Sequence, residues 1–543
     1  MQIVNILADL NISYTFSHST HLVICLLDLV LLFYFAWQGF KHKQNRVTFL
    51  AFTQIVLYGA FLYLSPRFQG VDLLSDELSK IMYFVINIVG GSIVLYALTY
   101  INSEPFEKAK KFSFIAILIF FLGVMNLIVT ANNIELFFFL FELTTLCSYL
   151  LIRYREDDVA IENALRALWM NQVGGVAILL ALITSVVYYN TIYFDQLLEV
   201  LDPHFLLPVV FLVIAAYVKG ASFPFHNWLL GAMVAPTPVS AILHSATMVK
   251  IAPFIVLKLS PSFSPLLSTT IAMFGAFVFV GASLMALNRD FFKEILGLST
   301  IALLSLMISL AALGSEQARE AALILLVFHA ISKALLFLQA GILEKIYHLK
   351  NISEIDTLTN RAPRTLFFIL IGFASLTLPP FGAFVSKFLA IEALTKSMLK
   401  TPVEVFVLLS LIIGSVLLVI LYFKIITKLL STRAFTQASK EKLPLLYKIS
   451  SNILFTALVL GVFLLNFLST LEVLIPLVLI FLIPVLLKRM DFKDAPRVKE
   501  YNCGEKGVFE VGMFNYTLNK KYLKSMIYLS VVFMAWHLVV GVL

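Results

Sequence analysis

The chain reads as a succession of long apolar windows separated by short polar stretches, with no sustained two-residue alternation of the kind a half-buried sheet needs. Windows of about 20 apolar residues, the length that crosses a bilayer as a helix, fall at 20–40, 47–65, 79–101, 112–130, 134–152, 164–188, 206–235, 238–259, 268–288, 292–313, 320–346, 364–397, 404–429, 449–468, 472–488 and 524–543. The pattern predicts an all-α polytopic membrane protein with about 14–16 transmembrane helices. The seventh window is interrupted at Pro224 and the twelfth at Pro379 and Pro380; proline removes a backbone donor, so both helices should break. Two broken spans five positions apart suggest a duplicated five-helix unit, and an odd helix number forces the copies into opposite orientations. The expected organisation is N-terminal helices over 1–111, one repeat over 112–259, its inverted copy over 268–429, and C-terminal helices over 430–543 with a polar loop at 489–523.

Composition agrees. Of 543 residues, 60% are hydrophobic and 13% charged, about half the charged share of a soluble domain. The net charge of +8 does not call for nucleic acid, because the basic residues collect in loops after odd-numbered spans: Lys41, Lys43 and Arg46; Lys108, Lys110 and Lys111; Arg153 and Arg155; Arg289 and Lys293; Lys345, Lys350, Arg361 and Arg364; and 424–448. The loop 189–205 carries Asp195, Glu199 and Asp202 and no Lys or Arg. The positive-inside rule then puts the odd ends in the cytoplasm and both termini outside a cell membrane. The first window lacks the flanks of a signal peptide and reads as a retained helix. Cys25, Cys147 and Cys503 have no metal-ligand or redox spacing, and no Walker or GxGxxG pattern suggests nucleotide-driven chemistry.

Candidate chemistry sits where charge interrupts apolar sequence. A charged side chain at mid-bilayer costs roughly 2.5 to 3.5 kcal/mol on insertion scales and marks ion or solute pathways. Glu142 lies mid-span, too far from either flank to snorkel, and Lys219, Lys250, His329, Lys333 and Lys387 are basic counterparts in other spans. A Glu142–Lys219 contact would act as a switch for proton release. His329 and Lys333 are four apart and share a helix face; the histidine suits a relay or an interhelical hydrogen bond. For the lysines, Lys387 included, the alternative is snorkelling to an interface. His244 could join a relay with Lys250, although six positions separate them. Asp28 is buried without an assigned partner, His226 follows the break and could cap it, and Glu344, Lys345 and His348 close a span and read as solvated.

The stretches KGASFPFHNWLLGAMVAPTPVSAILHSATMVK (219–250), HAISKALLFLQAGIL (329–343) and SLTLPPFGAFVSKFLAI (375–391) resemble the antiporter-like subunits shared by respiratory complex I, Mrp-type sodium/proton antiporters and membrane-bound energy-converting hydrogenases. The resemblance covers roughly residues 80 to 430. It implies a fourteen-helix core with two inverted repeats, and an ion path through Glu142, Lys219, Lys250, His329, Lys333 and Lys387. Leu230 and Met233 stand where the family usually has a proline and a histidine, STIALLSLM (299–307) is less polar than its family counterpart, and 489–523 shows no long in-plane helix. The implied function is a proton- or sodium-translocating subunit of a larger membrane complex. Its partners would be other antiporter-like and small membrane subunits, together with soluble redox subunits carrying iron–sulfur clusters and, in a hydrogenase, nickel–iron; no cofactor is expected in this chain. The alternatives are an Mrp-type antiporter subunit without a redox partner and a scaffold that no longer transports.

Overall fold

A computed structural model describes residues 11–64, 68–358, 362–397, 402–430, 442–464 and 520–542. The window expected at 472–488 and most of the loop expected at 489–523 lie outside the described residues; residues from Lys520 onward belong to the last helix. The helices are α1 (His18–Lys41), α2 (Asn45–Leu64), α3 (Glu77–Asn102), α4 (Lys108–Ile128), α5 (Ile134–Ile152) and α6 (Asp158–Tyr189). They continue with α7 in two pieces (Leu207–Lys219 and His226–Gly231), α8 in two pieces (Thr237–Ser245 and Ile251–Leu259), α9 (Pro265–Leu287), α10 (Phe292–Ala312) and α11 (Glu316–Ile346). Last come α12 in two pieces (Pro363–Thr377 and Gly382–Ser397), α13 (Pro402–Leu430), α14 (Leu445–Leu464) and α15 (Lys520–Val540). Among the described residues 14 helical stretches are long and apolar enough to cross a membrane, so the chain is an all-α polytopic membrane protein. The strand content described is one two-residue pairing, Ser13–Tyr14 with Leu73–Leu74.

Helix starts follow the sequence closely. Ser17, Asn133, Asp157, Ser264 and Ser315 each turn a side-chain oxygen onto a free N–H of the first turn, the usual satisfaction of those orphan donors. The helix interruptions are less regular. α7 and α12 break at the proline sites, and the Phe223–Pro224 and Pro379–Pro380 bonds are cis. α8 also breaks, between Ser245 and Met248, where a single uninterrupted span is expected from the sequence. There Ser245 bonds back to the Ala241 carbonyl and Thr247 Oγ1 donates to the Ile242 carbonyl at 2.8 Å. Such back-bonding offers the backbone an alternative to its own ladder.

Successive helices pack on one another in both halves: α5 on α6 and α6 on α7 within α4 to α8, α10 on α11 and α11 on α12 within α9 to α13, where α9 also packs on α13. α4 starts from the face where Lys110 pairs with Glu156 at 3.1 Å. α9 starts from the other face, where Lys258, at the end of α8, reaches Asp76 at 3.5 Å. The two groups therefore enter the bilayer from opposite sides. α8 lies across α11, which joins the groups. Both ends of the described chain reach one face: the Ser75 N–H donates to the Ile12 carbonyl at 2.9 Å, and the Leu206 N–H to the Gly541 carbonyl at 2.8 Å. The basic loops gather on the other.

Candidate functional site

Glu142 lies on α5 facing α2 and α6 and is fully buried. Gln54 Nε2 of α2 donates to its Oε1 at 2.8 Å and also to the Gln172 carbonyl of α6 at 3.3 Å, while Glu142 Oε2 is without a hydrogen bond. The carboxylate fits because Gly175 of α6 lacks a side chain: a Cβ there would fall onto Glu142 Oε1 and Gln54 Nε2.

Lys219 ends the first piece of α7, so its side chain projects beside the break. Its Nζ donates to the Phe141 carbonyl at 3.0 Å, Thr144 Oγ1 at 2.9 Å and Thr145 Oγ1 at 2.8 Å, and sits 3.9 Å from the centre of the Phe141 ring. An ammonium has three hydrogens to place, and here each has an acceptor. A direct Glu142–Lys219 contact, which the sequence reading framed as a switch, is not made among the described hydrogen bonds and ion pairs; each group is held by neutral partners.

At the crossing of α8 and α11, Lys250 Nζ and His329 Nδ1 are 2.5 Å apart. Lys250 is placed by the α8 break, which turns residues 248–250 into a single 3₁₀ turn. One helical turn along α11, Lys333 Nζ donates to the Leu296 carbonyl at 3.1 Å and to Ser299 Oγ at 2.5 Å, both on α10. Thus Ser299, from the stretch read as less polar, carries a contact. Ser332 and Ser375 meet at 2.6 Å and tie α11 to α12. Lys387, in the second piece of α12, is buried and donates at 3.1 Å to the Leu376 carbonyl beside the break. Among the described residues none of Lys219, Lys250, Lys333 and Lys387 has a carboxylate ion-pair partner.

His244 is buried, but neither ring nitrogen has a hydrogen bond; its ring lies 4.8 Å from that of Phe337. It neighbours the Lys250–His329 pair without joining it. Leu230 and Met233 fill the notch at Gly297 beside His244, where a Cβ would collide with Met233; an apolar plug thus closes this side. His226 begins the second piece of α7, is buried, and leaves Nδ1 unbonded.

Several buried groups escape a sequence reading. Glu344, expected to be solvated, forms an ion pair with Lys293 at 2.5 Å and accepts from Thr237 Oγ1 at 2.9 Å, so the starts of α8 and α10 and the end of α11 meet there. Lys345 is held the same way, 2.6 Å from Glu104. Glu135 begins α5 and looks like a polar flank, yet it is buried and accepts from Tyr58 at 2.8 Å and Cys25 at 3.2 Å. The seven-residue spacing of Glu135 and Glu142, two turns on one face, was the available signal. Among the described residues no cluster of three or more His, Cys, Asp or Glu side chains could hold a metal ion.

Residues 131–413 match the model of the family described as NADH:quinone oxidoreductase/Mrp antiporter, TM. The chain is also similar to a Na(+)/H(+) antiporter subunit of Alkalihalophilus pseudofirmus, 33% identical over 345 residues, 59% of this chain and 42% of that protein. It is 30% identical to the putative antiporter subunit mnhA2 of Staphylococcus epidermidis over 351 residues, 60% of this chain and 44% of that one. With a Na(+)/H(+) antiporter subunit of Staphylococcus aureus it shares 29% identity over 345 residues, 59% of this chain and 43% of that protein. The chain therefore spans less than half the length of these relatives.

Proposed function

Because this chain belongs to the NADH:quinone oxidoreductase/Mrp antiporter transmembrane family, we propose that it is the proton-translocating part of an Mrp-type sodium/proton antiporter, working with other antiporter-like and small membrane subunits. The observation that carries this reading is the set of buried basic groups without a carboxylate partner among the described residues, above all the Lys250–His329 contact at 2.5 Å. Buried ionisable groups are expensive in a membrane and are retained where charge has to pass. Amines and imidazoles carry protons, whereas sodium prefers oxygen cages, so the proton path is assigned to this chain. Glu142 and Lys219 form one end of it. Moving Lys219 from its threonine cradle toward Glu142 is the switch step. Lys250, His329 and Lys333 form the middle, and Lys387 the far end. The basic loops face the cytoplasm of a cell membrane in this reading.

The test is sodium-dependent proton movement in vesicles holding the intact complex, followed with a pH-sensitive dye. Lys219→Ala and Glu142→Gln are expected each to lower the rate about a hundredfold while the complex still assembles. Unchanged rates in both variants would sink the reading.

A second reading, a redox-driven pump arm, has one observation in its favour: the matched family description spans NADH:quinone oxidoreductases as well as antiporters. Iron and nickel analysis of the complex purified from its native membrane separates the two. Metal-rich soluble subunits support the redox arm, with nickel indicating a hydrogenase; small metal-free membrane subunits support the antiporter.

A further inference from the structure

Two buried carboxylates, Asp28 and Glu135, lie outside the row of groups just assigned. Asp28 on α1 is 0% exposed and neither of its oxygens has a hydrogen bond. Cys25, one helical turn before Asp28 on the same face of α1, reaches Glu135 at 3.2 Å, where α1 packs on α5. Tyr58 and Cys25 both donate to Glu135 Oε1. On the membrane face that carries both chain ends, a cavity of about 810 Å³ opens among the 15–22 segment, the 68–71 loop and Tyr193, and Glu135 forms part of its wall. His21, on the same wall, lies 3.5 Å from Asp72. Glu142 is two helical turns along α5 from Glu135, about 10 Å at 1.5 Å per residue.

Each buried ion costs several kcal/mol, and two carboxylates in one low-dielectric site cannot both stay charged without a cation. We propose that Asp28 and Glu135 form a proton-loading site, filled from this cavity and emptied toward Glu142. A hydronium ion reaching the cavity gives its proton to Glu135, its own O–H bond breaking to leave water as the carboxyl O–H forms. The proton then leaves that oxygen for Asp28 and from there for Glu142, one O–H bond breaking as the next forms, so charge is conserved at every step. Tyr58 and Cys25 hold Glu135 in place by donation. The site gives the Glu142–Lys219 end an entrance on the face opposite the basic loops. The inference deepens the transport reading and rests on it.

Infrared difference spectroscopy of the intact complex in light and heavy water, paired with vesicle transport, tests the assignment. The unmutated complex is expected to show a deuterium-sensitive carboxylic acid band that both Asp28→Asn and Glu135→Gln remove. Each variant should also slow proton movement about tenfold or more, and the double variant should be no slower than the worse single. Absence of the band, or wild-type transport rates in both variants, overturns the proposal. A band displaced by sodium at constant pH overturns the proton assignment in favour of a sodium site. An unmutated complex that moves no ion overturns the transport reading instead, and the band, which needs no transport, still tells whether the pair holds a proton.

Discussion

Gly175 shows how a residue without chemistry sets the chemistry of its neighbour. Its missing Cβ is the space in which Glu142 and Gln54 meet. Gly175→Ala is expected to push the carboxylate off Gln54 and abolish transport, at a stability cost of about 1–3 kcal/mol, readable as a lower unfolding temperature in detergent. Lys219 depends in the same way on two hydroxyls. Thr144→Val with Thr145→Val removes two of its three acceptors, each loss costing about 1–3 kcal/mol. The expected result is a complex that assembles and transports slowly, with Thr144→Ser and Thr145→Ser retaining the rate. Glu142 and Lys219 stand out in the sequence because charge amid apolar residues is costly and therefore conspicuous. Gln54 and Gly175 do not, since neutral polar residues and glycines are ordinary in membrane helices.

At the level of elements, the breaks in α7 and α12 are legible because proline cannot continue a ladder, whereas the α8 break is made by Ser245 and Thr247, which sit unremarked in many continuous helices. Depth was misread for similar reasons. Glu344 lies near a helix end, yet α11 is long enough that its last turn is still covered by α8 and α10, where Lys293 awaits it. Both side chains are nearly buried, 5% and 15% exposed, so removing one partner strands the other charge. Lys293→Met is expected to cost about 3–5 kcal/mol, and Lys293→Met with Glu344→Leu to recover most of it; thermal unfolding of the two variants decides.

On the scale of the whole molecule, sequence periodicity was enough to lay out the described membrane helices, because hydrophobic length answers to the bilayer itself. Which helices touch was not legible, since lipid-facing and protein-facing sides are equally apolar. The faces make a direct prediction. In a variant lacking the native cysteines, an impermeant maleimide should reach Lys108→Cys only from the cytoplasm and His204→Cys only from outside; both positions are exposed. Labelling of both from one side would contradict the arrangement of loops. The contact between Lys250 and His329 has a consequence at this scale too. Two nitrogens 2.5 Å apart repel strongly if both are cationic, so the geometry admits a positive charge on one of the two at a time. On the proposed transport reading, raising the driving force can make this point of the path turn faster, but cannot load it with two charges at once.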